Sequence, residues 1–126
     1  MIYGIGVDLV DTRRVREILE RYGERFARRI LTAQEQALYR DTRNAVRFLS
    51  CRFAAKEAFS KALGTGLRPP MSLLGVGVVH DRRGKPGYAM GPDLAAYLAQ
   101  ERIVNWQLSL TDEGHMTCAV AVLEAE

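Results

Sequence analysis

The segment from Ala45 to Leu63, AVRFLSCRFAAKEAFSKAL, is apolar almost all round and stops at Gly64, with Gly66 and Pro69-Pro70 beyond. A helix with a single apolar stripe lies on a surface, whereas one apolar on every side has to be enclosed. The pattern therefore predicts a central buried helix over 45–63, ended by a glycine cap. At 126 residues the chain has room for one domain built around such a core. Within this helix Arg52, Lys56, Glu57 and Lys61 need partners or a task, because an unpaired buried charge is very costly.

The opening IYGIGVDLV alternates as a strand over 2–10. Tyr3, Ile5, Val7 and Leu9 share one face; Asp8 shares the other with Gly4 and Gly6, where a bulky element can come close to the backbone. Asp11 or Thr12 can cap a helix running to about Ile30, with an apolar stripe of Val15, Ile18, Leu19, Tyr22, Phe26 and Ile30. At about 100° per residue, Arg14, Arg21, Arg25 and Arg28 form a stripe of their own, beside one of Glu17, Glu20 and Glu24. That face is either laced by ion pairs or an edge for an acidic partner. Thr32 to Glu35 is a capping box and starts a short second helix over QALYR.

The second half reads as strand 73–80, turn 81–86, strand 87–90, a helix over about 93–102 behind Pro92, and a final hairpin, 103–111 with 116–125. Leu94, Tyr97 and Leu98 point inward from that helix. Helices in the first half and antiparallel strands in the second give an α+β fold, one domain over 1–126.

Hydrophobic residues at 48% and charged ones at 26% exclude disorder. Runs such as Leu73 to Val79 fall well short of the ~20 apolar residues a bilayer crossing needs. The first eleven residues show no basic region, and a secretory signal is not expected. The expectation is a soluble, cytoplasmic protein with no membrane association. Cys51 and Cys118 make no disulfide framework or metal cluster and read as small buried hydrophobes. No nucleotide-loop, zinc-protease or serine-hydrolase motif is present, and His80 and His115 read as surface turn residues.

Asp8 and Glu57 remain. Two carboxylates amid cations, without histidine or thiol, suit Mg2+, which takes one or two carboxylates and fills its shell with water and phosphate. Arg52, Lys56, Lys61 and the GTG segment at 64–66 would then receive phosphate charge. An ion pair between Glu57 and Lys61, one helical turn apart, explains the same spacing, and spacing does not choose between them.

Gly6-Val7-Asp8, and downstream Phe53-Ala54-Ala55-Lys56-Glu57-Ala58-Phe59-Ser60-Lys61, resemble the paired signature of the holo-[acyl-carrier-protein] synthases, the small bacterial phosphopantetheinyl transferases. RILTxxE at 29–35 and GKP at 84–86 extend the resemblance over most of the chain. It implies Mg2+ held by Asp8 and Glu57, coenzyme A as substrate, and catalysis by Asp8, Glu57 and Lys61. Arg52, Ser60, Lys61, Gly64, Thr65, Lys85 and Pro86 map to coenzyme binding, and Arg14, Arg21 and Arg25 to docking of the acidic acyl carrier protein. It further implies a homotrimer with active sites between subunits, serving fatty acid biosynthesis. The attacking hydroxyl belongs to the carrier, so no nucleophile is needed here. Where that family often has histidine near its penultimate strand, this chain has Thr111-Asp112; Asp112 either takes its place or helps to orient coenzyme A.

Two other readings use the same residues. A basic module binding RNA or an acidic protein would explain the arginines, but no stacking platform or KH-type loop accompanies them. A Mg2+-dependent phosphohydrolase would use the same carboxylate pair.

Overall fold

The computed structural model describes residues 1–126. In chain order the elements are β1 (Ile2–Asp11), α1 (Thr12–Tyr22), α2 (Glu24–Ile30), α3 (Ala33–Tyr39), α4 (Ala45–Leu63), β2 (Val76–His80), β3 (Pro86–Met90), α5 (Pro92–Gln100), β4 (Ile103–Glu113) and β5 (Met116–Ala125). The expected central helix is α4, with 12 of its 19 residues buried. Asn44 caps its start by accepting from the Arg47 N–H, and Gly64 ends it in the left-handed conformation at φ 85°.

Antiparallel strands β1, β5 and β4 form one sheet in that order, and β2 and β3 form a separate hairpin. Across the sheet Asp8 lies opposite Ala119, and Ala119 opposite Leu110. At the middle of the inner face the residues are small: Gly4 and Gly6 on β1, Ala119 and Ala121 on β5. A Cβ on Gly6 would strike the Ala58 carbonyl, and one on Gly4 the Ala62 carbonyl. The glycines thus let α4 lie directly on the strand backbone, which sets Asp8 beside the helix. On the outer face of β1, Tyr3, Ile5, Val7 and Leu9 are exposed.

Gly23, at φ 59°, breaks the expected helix over 12–30 into α1 and α2. A residue with a Cβ resists that conformation, so the break falls on the glycine. The arginine stripe drawn for one continuous helix is therefore split, Arg14 and Arg21 lying on α1, Arg25 and Arg28 on α2. The first strand of the second half begins at Val76, since Leu73, Leu74 and Gly75 form a turn. The last hairpin turns at Gly114-His115, tighter than expected, with Gly114 at φ 60°. Cys51 and Cys118 are half-buried rather than fully so.

Candidate active site

Asp8 and Glu57 come together, as the sequence suggested, because β1 and α4 pack through the glycines. Lys61 does not pair with Glu57. Its Nζ lies 3.2 Å from Asp8 Oδ1 and donates to the Val7 carbonyl at 3.0 Å. Its three donors leave one N–H for another acceptor. Glu57 is half-buried; burial first, then repulsion from Asp8, pushes its carboxyl up, and Lys61 only partly offsets this. Two carboxylates that repel one another across a partly dry edge, with one cation between them, form a site short of positive charge. No third carboxylate, histidine or thiol joins them. Such a hard oxygen pair, partly exposed to solvent, fits a Mg2+ ion.

Lys56 does not face phosphate. It is fully buried, and its Nζ donates to Glu35 Oε1 at 2.6 Å, to the Leu73 carbonyl at 2.9 Å and to the Ile30 carbonyl. Glu35 completes the expected capping box with Thr32 and also accepts from the Val78 N–H at 2.9 Å. These two side chains therefore fasten α2, α3, the 73–75 turn and β2 to α4. Burial lowers the Lys56 pKa, and Glu35 pulls it back. Ser60 is likewise buried, its hydroxyl donating to the Glu57 carbonyl at 2.7 Å.

Arg52 lies between this network and the outside. Its Nε is 3.6 Å from Glu35 Oε2 and has no hydrogen-bond partner, while its guanidinium stacks 3.7 Å above the Phe48 ring. It lines a cleft of about 540 Å3 together with Arg47, Phe48, His80, Pro86 and Asp112. Two guanidiniums and an imidazole in one concavity suit an anionic ligand. Lys85 is exposed beside it, its backbone N–H held by Asp81. Past the end of α4, Gly64 is exposed and the Thr65 hydroxyl donates to the Gly66 carbonyl.

Arg47 and the contribution of His80 to this wall escaped the sequence reading. The cleft draws on α4, the β2–β3 turn and the end of β4, and no local pattern links these segments. Asp8, Glu57 and Lys61 do not line it. On α4, Glu57 and Lys61 are rotated about 140° and 180° from Arg52, and they lie about 15 and 21 Å along the helix axis from Arg47. On a single chain the carboxylate pair and the basic cleft are therefore two separate places.

Arg14, Arg21 and Arg25 are all exposed. Arg25 and Arg29 border a groove of about 300 Å3 whose apolar lining is Ile18, Tyr22 and Phe26. The expected apolar stripe is thus only partly covered: Val15 and Ile30 are buried, and Tyr22 is 51% exposed.

Residues 4–121 match the family model of the 4'-phosphopantetheinyl transferase superfamily. The holo-[acyl-carrier-protein] synthase of Nitrosospira multiformis is 50% identical over 124 residues, covering 98% of this chain and 99% of its own. A crystal structure of holo-[acyl-carrier-protein] synthase from Neisseria meningitidis superposes with a TM-score of 0.96 at 42% identity, covering 98% of this chain and 99% of that one. The Bacillus anthracis synthase, solved in complex with CoA (3',5'-ADP), gives 0.84 at 33% identity, covering 100% and 99%. With the glycine-seated carboxylate pair in place and similarity over nearly the whole chain, this protein belongs to the holo-[acyl-carrier-protein] synthase family of 4'-phosphopantetheinyl transferases.

Proposed function

We propose that the protein transfers the 4'-phosphopantetheine arm of coenzyme A to a serine of apo-acyl carrier protein in a Mg2+-dependent reaction. Adenosine 3',5'-bisphosphate is the other product, and the modified carrier serves fatty acid biosynthesis. The observation that carries this reading is the meeting of Asp8 and Glu57 beside Lys61 on an open edge.

Asp8 and Glu57 would hold the ion, which supplies charge neutralisation to the diphosphate when bound. Lys61, tethered by Asp8 and the Val7 carbonyl, keeps its remaining N–H for a diphosphate oxygen. The carrier's serine oxygen forms the new P–O bond to the pantetheine phosphate and gives its proton to solvent, while the bond to the bisphosphate breaks and that group departs with the bonding electron pair. Such transfers depend mostly on positioning and charge neutralisation, which explains the absence of a nucleophile of the chain's own. The exposed Gly64–Thr65 turn lies at the same end of α4 and completes the pantetheine-phosphate side of the site, whereas buried Ser60, its hydroxyl on the Glu57 carbonyl, supports the helix behind it.

The anion-binding cleft at Arg52, Lys85 and Pro86 takes the nucleotide. Because it is separate from the carboxylate pair on one chain, a coenzyme that uses both lies between two copies. The open apolar face of β1, an edge strand of its sheet, supports such an assembly, read here as a homotrimer. Confinement of the protein to the cytoplasm accords with that substrate; no helix is long and apolar enough to cross a membrane.

Intact-mass spectrometry of apo-carrier incubated with the protein, Mg2+ and coenzyme A tests the reaction. A gain of about 340 Da, one phosphopantetheine, is expected. Coenzyme A cleaved with the carrier's mass unchanged would identify a phosphohydrolase instead.

The exposed basic face of α1 and α2, where Arg14, Arg21 and Arg25 surround the groove of Ile18, Tyr22 and Phe26, is where the acidic carrier docks. Charge reversal at Arg14 and Arg21 together is expected to raise the KM for carrier by about tenfold or more at low salt, with coenzyme A binding unchanged. Steady-state kinetics with each substrate varied in turn checks this, and equal loss for both would reject the docking face.

A further inference from the structure

We propose that Asp112 is a positioning residue for the nucleotide cleft: it holds the Arg47 guanidinium over the cleft so that its terminal nitrogens meet a phosphate of the bound nucleotide. The inference rests on the assignment of that cleft to coenzyme A.

Arg47 Nε donates to Asp112 Oδ2 at 2.8 Å, and both residues line the cleft. The contact uses Nε alone, so the N–H groups of both terminal nitrogens have no protein acceptor and remain for a ligand. Each partner is held at its backbone. The Arg47 N–H donates to the Asn44 side chain at 3.0 Å, in the first turn of α4, and Asp112 is paired with Thr117 near the end of the β4–β5 hairpin.

The pair contributes little to folding, because the Arg47 and Asp112 side chains are 66% and 37% exposed. A carboxylate in the wall of an anion-binding cleft also repels the ligand. Its presence is accounted for if it fixes a long, mobile cation. An arginine already held in its binding rotamer loses less entropy when phosphate arrives. Arg52 is immobilised by its Phe48 stack and its burial; Arg47, on the exposed rim, has only Asp112 to restrain its side chain.

The test compares full-length wild type, Asp112→Ala, Asp112→Glu, Arg47→Gln and the double variant Arg47→Gln/Asp112→Ala. Calorimetric titration gives the Kd for adenosine 3',5'-bisphosphate, and kinetics give kcat and the KM for coenzyme A. Asp112→Ala and Arg47→Gln are each expected to raise Kd and KM about five- to tenfold, the scale of one oriented charge-assisted hydrogen bond. The expected change in kcat is less than about twofold, because the bond-breaking groups lie elsewhere. The double variant binds no more weakly than Arg47→Gln, and Asp112→Glu regains most of the affinity.

Unchanged or tighter binding by Asp112→Ala overturns the proposal, since the carboxylate would then be inert or merely repulsive. Additive losses in the double variant overturn it too. A wild-type protein that binds the bisphosphate but leaves apo-carrier unmodified rejects the transferase reading alone, and calorimetry still decides the role of Asp112. Wild type that binds no bisphosphate rejects both the cleft assignment and the proposal.

Discussion

Glu57→Gln is expected to reduce transfer about a thousandfold or more while leaving the fold at least as stable as wild type. The first half follows from the proposed metal site: one of the two carboxylates that would hold the cation is removed, and no third stands beside them. A preorganised charge of this kind accounts for two to three orders of magnitude, and metal-assisted neutralisation of a diphosphate for several kcal/mol. Asp8→Ala is expected to lose as much, and it also removes one of the two tethers of Lys61.

The second half follows from the strain on Glu57. Burial and the nearby Asp8 favour its protonated form in the fold. That contribution is present below the ordinary carboxylate range and is lost as pH rises through the elevated value. Without added metal, the glutamine variant should therefore match wild type in acid and surpass it above that titration. Thermal melts across pH measure the difference, and a variant markedly less stable at neutral pH would show Glu57 to be structural. Adding Mg2+ with coenzyme A should raise the wild-type Tm and leave that of the variant nearly unmoved, by linkage. Wild-type turnover by both Glu57→Gln and Asp8→Ala would reject the metal assignment.

What the sequence revealed and what it hid divides along the range of the interactions. The meeting of β1 and α4 was legible because each carries its own period, and because Gly4 and Gly6 mark where a helix can touch a strand. The Gly64 stop and the Thr32–Glu35 box were legible because caps are local. Gly23 was passed over because the apolar spacing continues on either side of it, and only its positive φ shows the break. Lys61 chose Asp8 over Glu57, one turn away, because β1 brings the aspartate and the Val7 carbonyl within reach of the same ammonium. Arg47 carried no signal, since its partner lies 65 residues on. Lys56 differs from its expected place facing phosphate for the same reason: its acceptors come from residues 30, 35 and 73, which no spacing rule connects to 56.

Glu35→Ala is the second large effect expected, and it acts on folding rather than on turnover. Lys56 is fully buried with its three N–H donors satisfied, one of them by Glu35 at 2.6 Å. Truncating Glu35 leaves an ammonium without its counter-charge, and the Val78 and Thr32 N–H groups without their acceptor. Breaking a buried pair from one side costs about 3–5 kcal/mol. For a domain of this size that is a fall in Tm of roughly 10–20 °C. Melts at matched protein concentration measure it, because any assembly adds its own concentration-dependent stability. Lys56→Met should cost less than Glu35→Ala, since it exchanges the buried cation for an apolar chain of similar length and leaves Glu35 beside Arg52, 3.6 Å away. Pairing Lys56→Met with Glu35→Gln should recover part of the loss seen in Glu35→Ala, because neither charge then remains buried without its partner. If instead Glu35→Ala folds with wild-type stability and fails only in coenzyme A binding, Lys56 faces substrate in solution and the buried network is not what holds α4 to its neighbours.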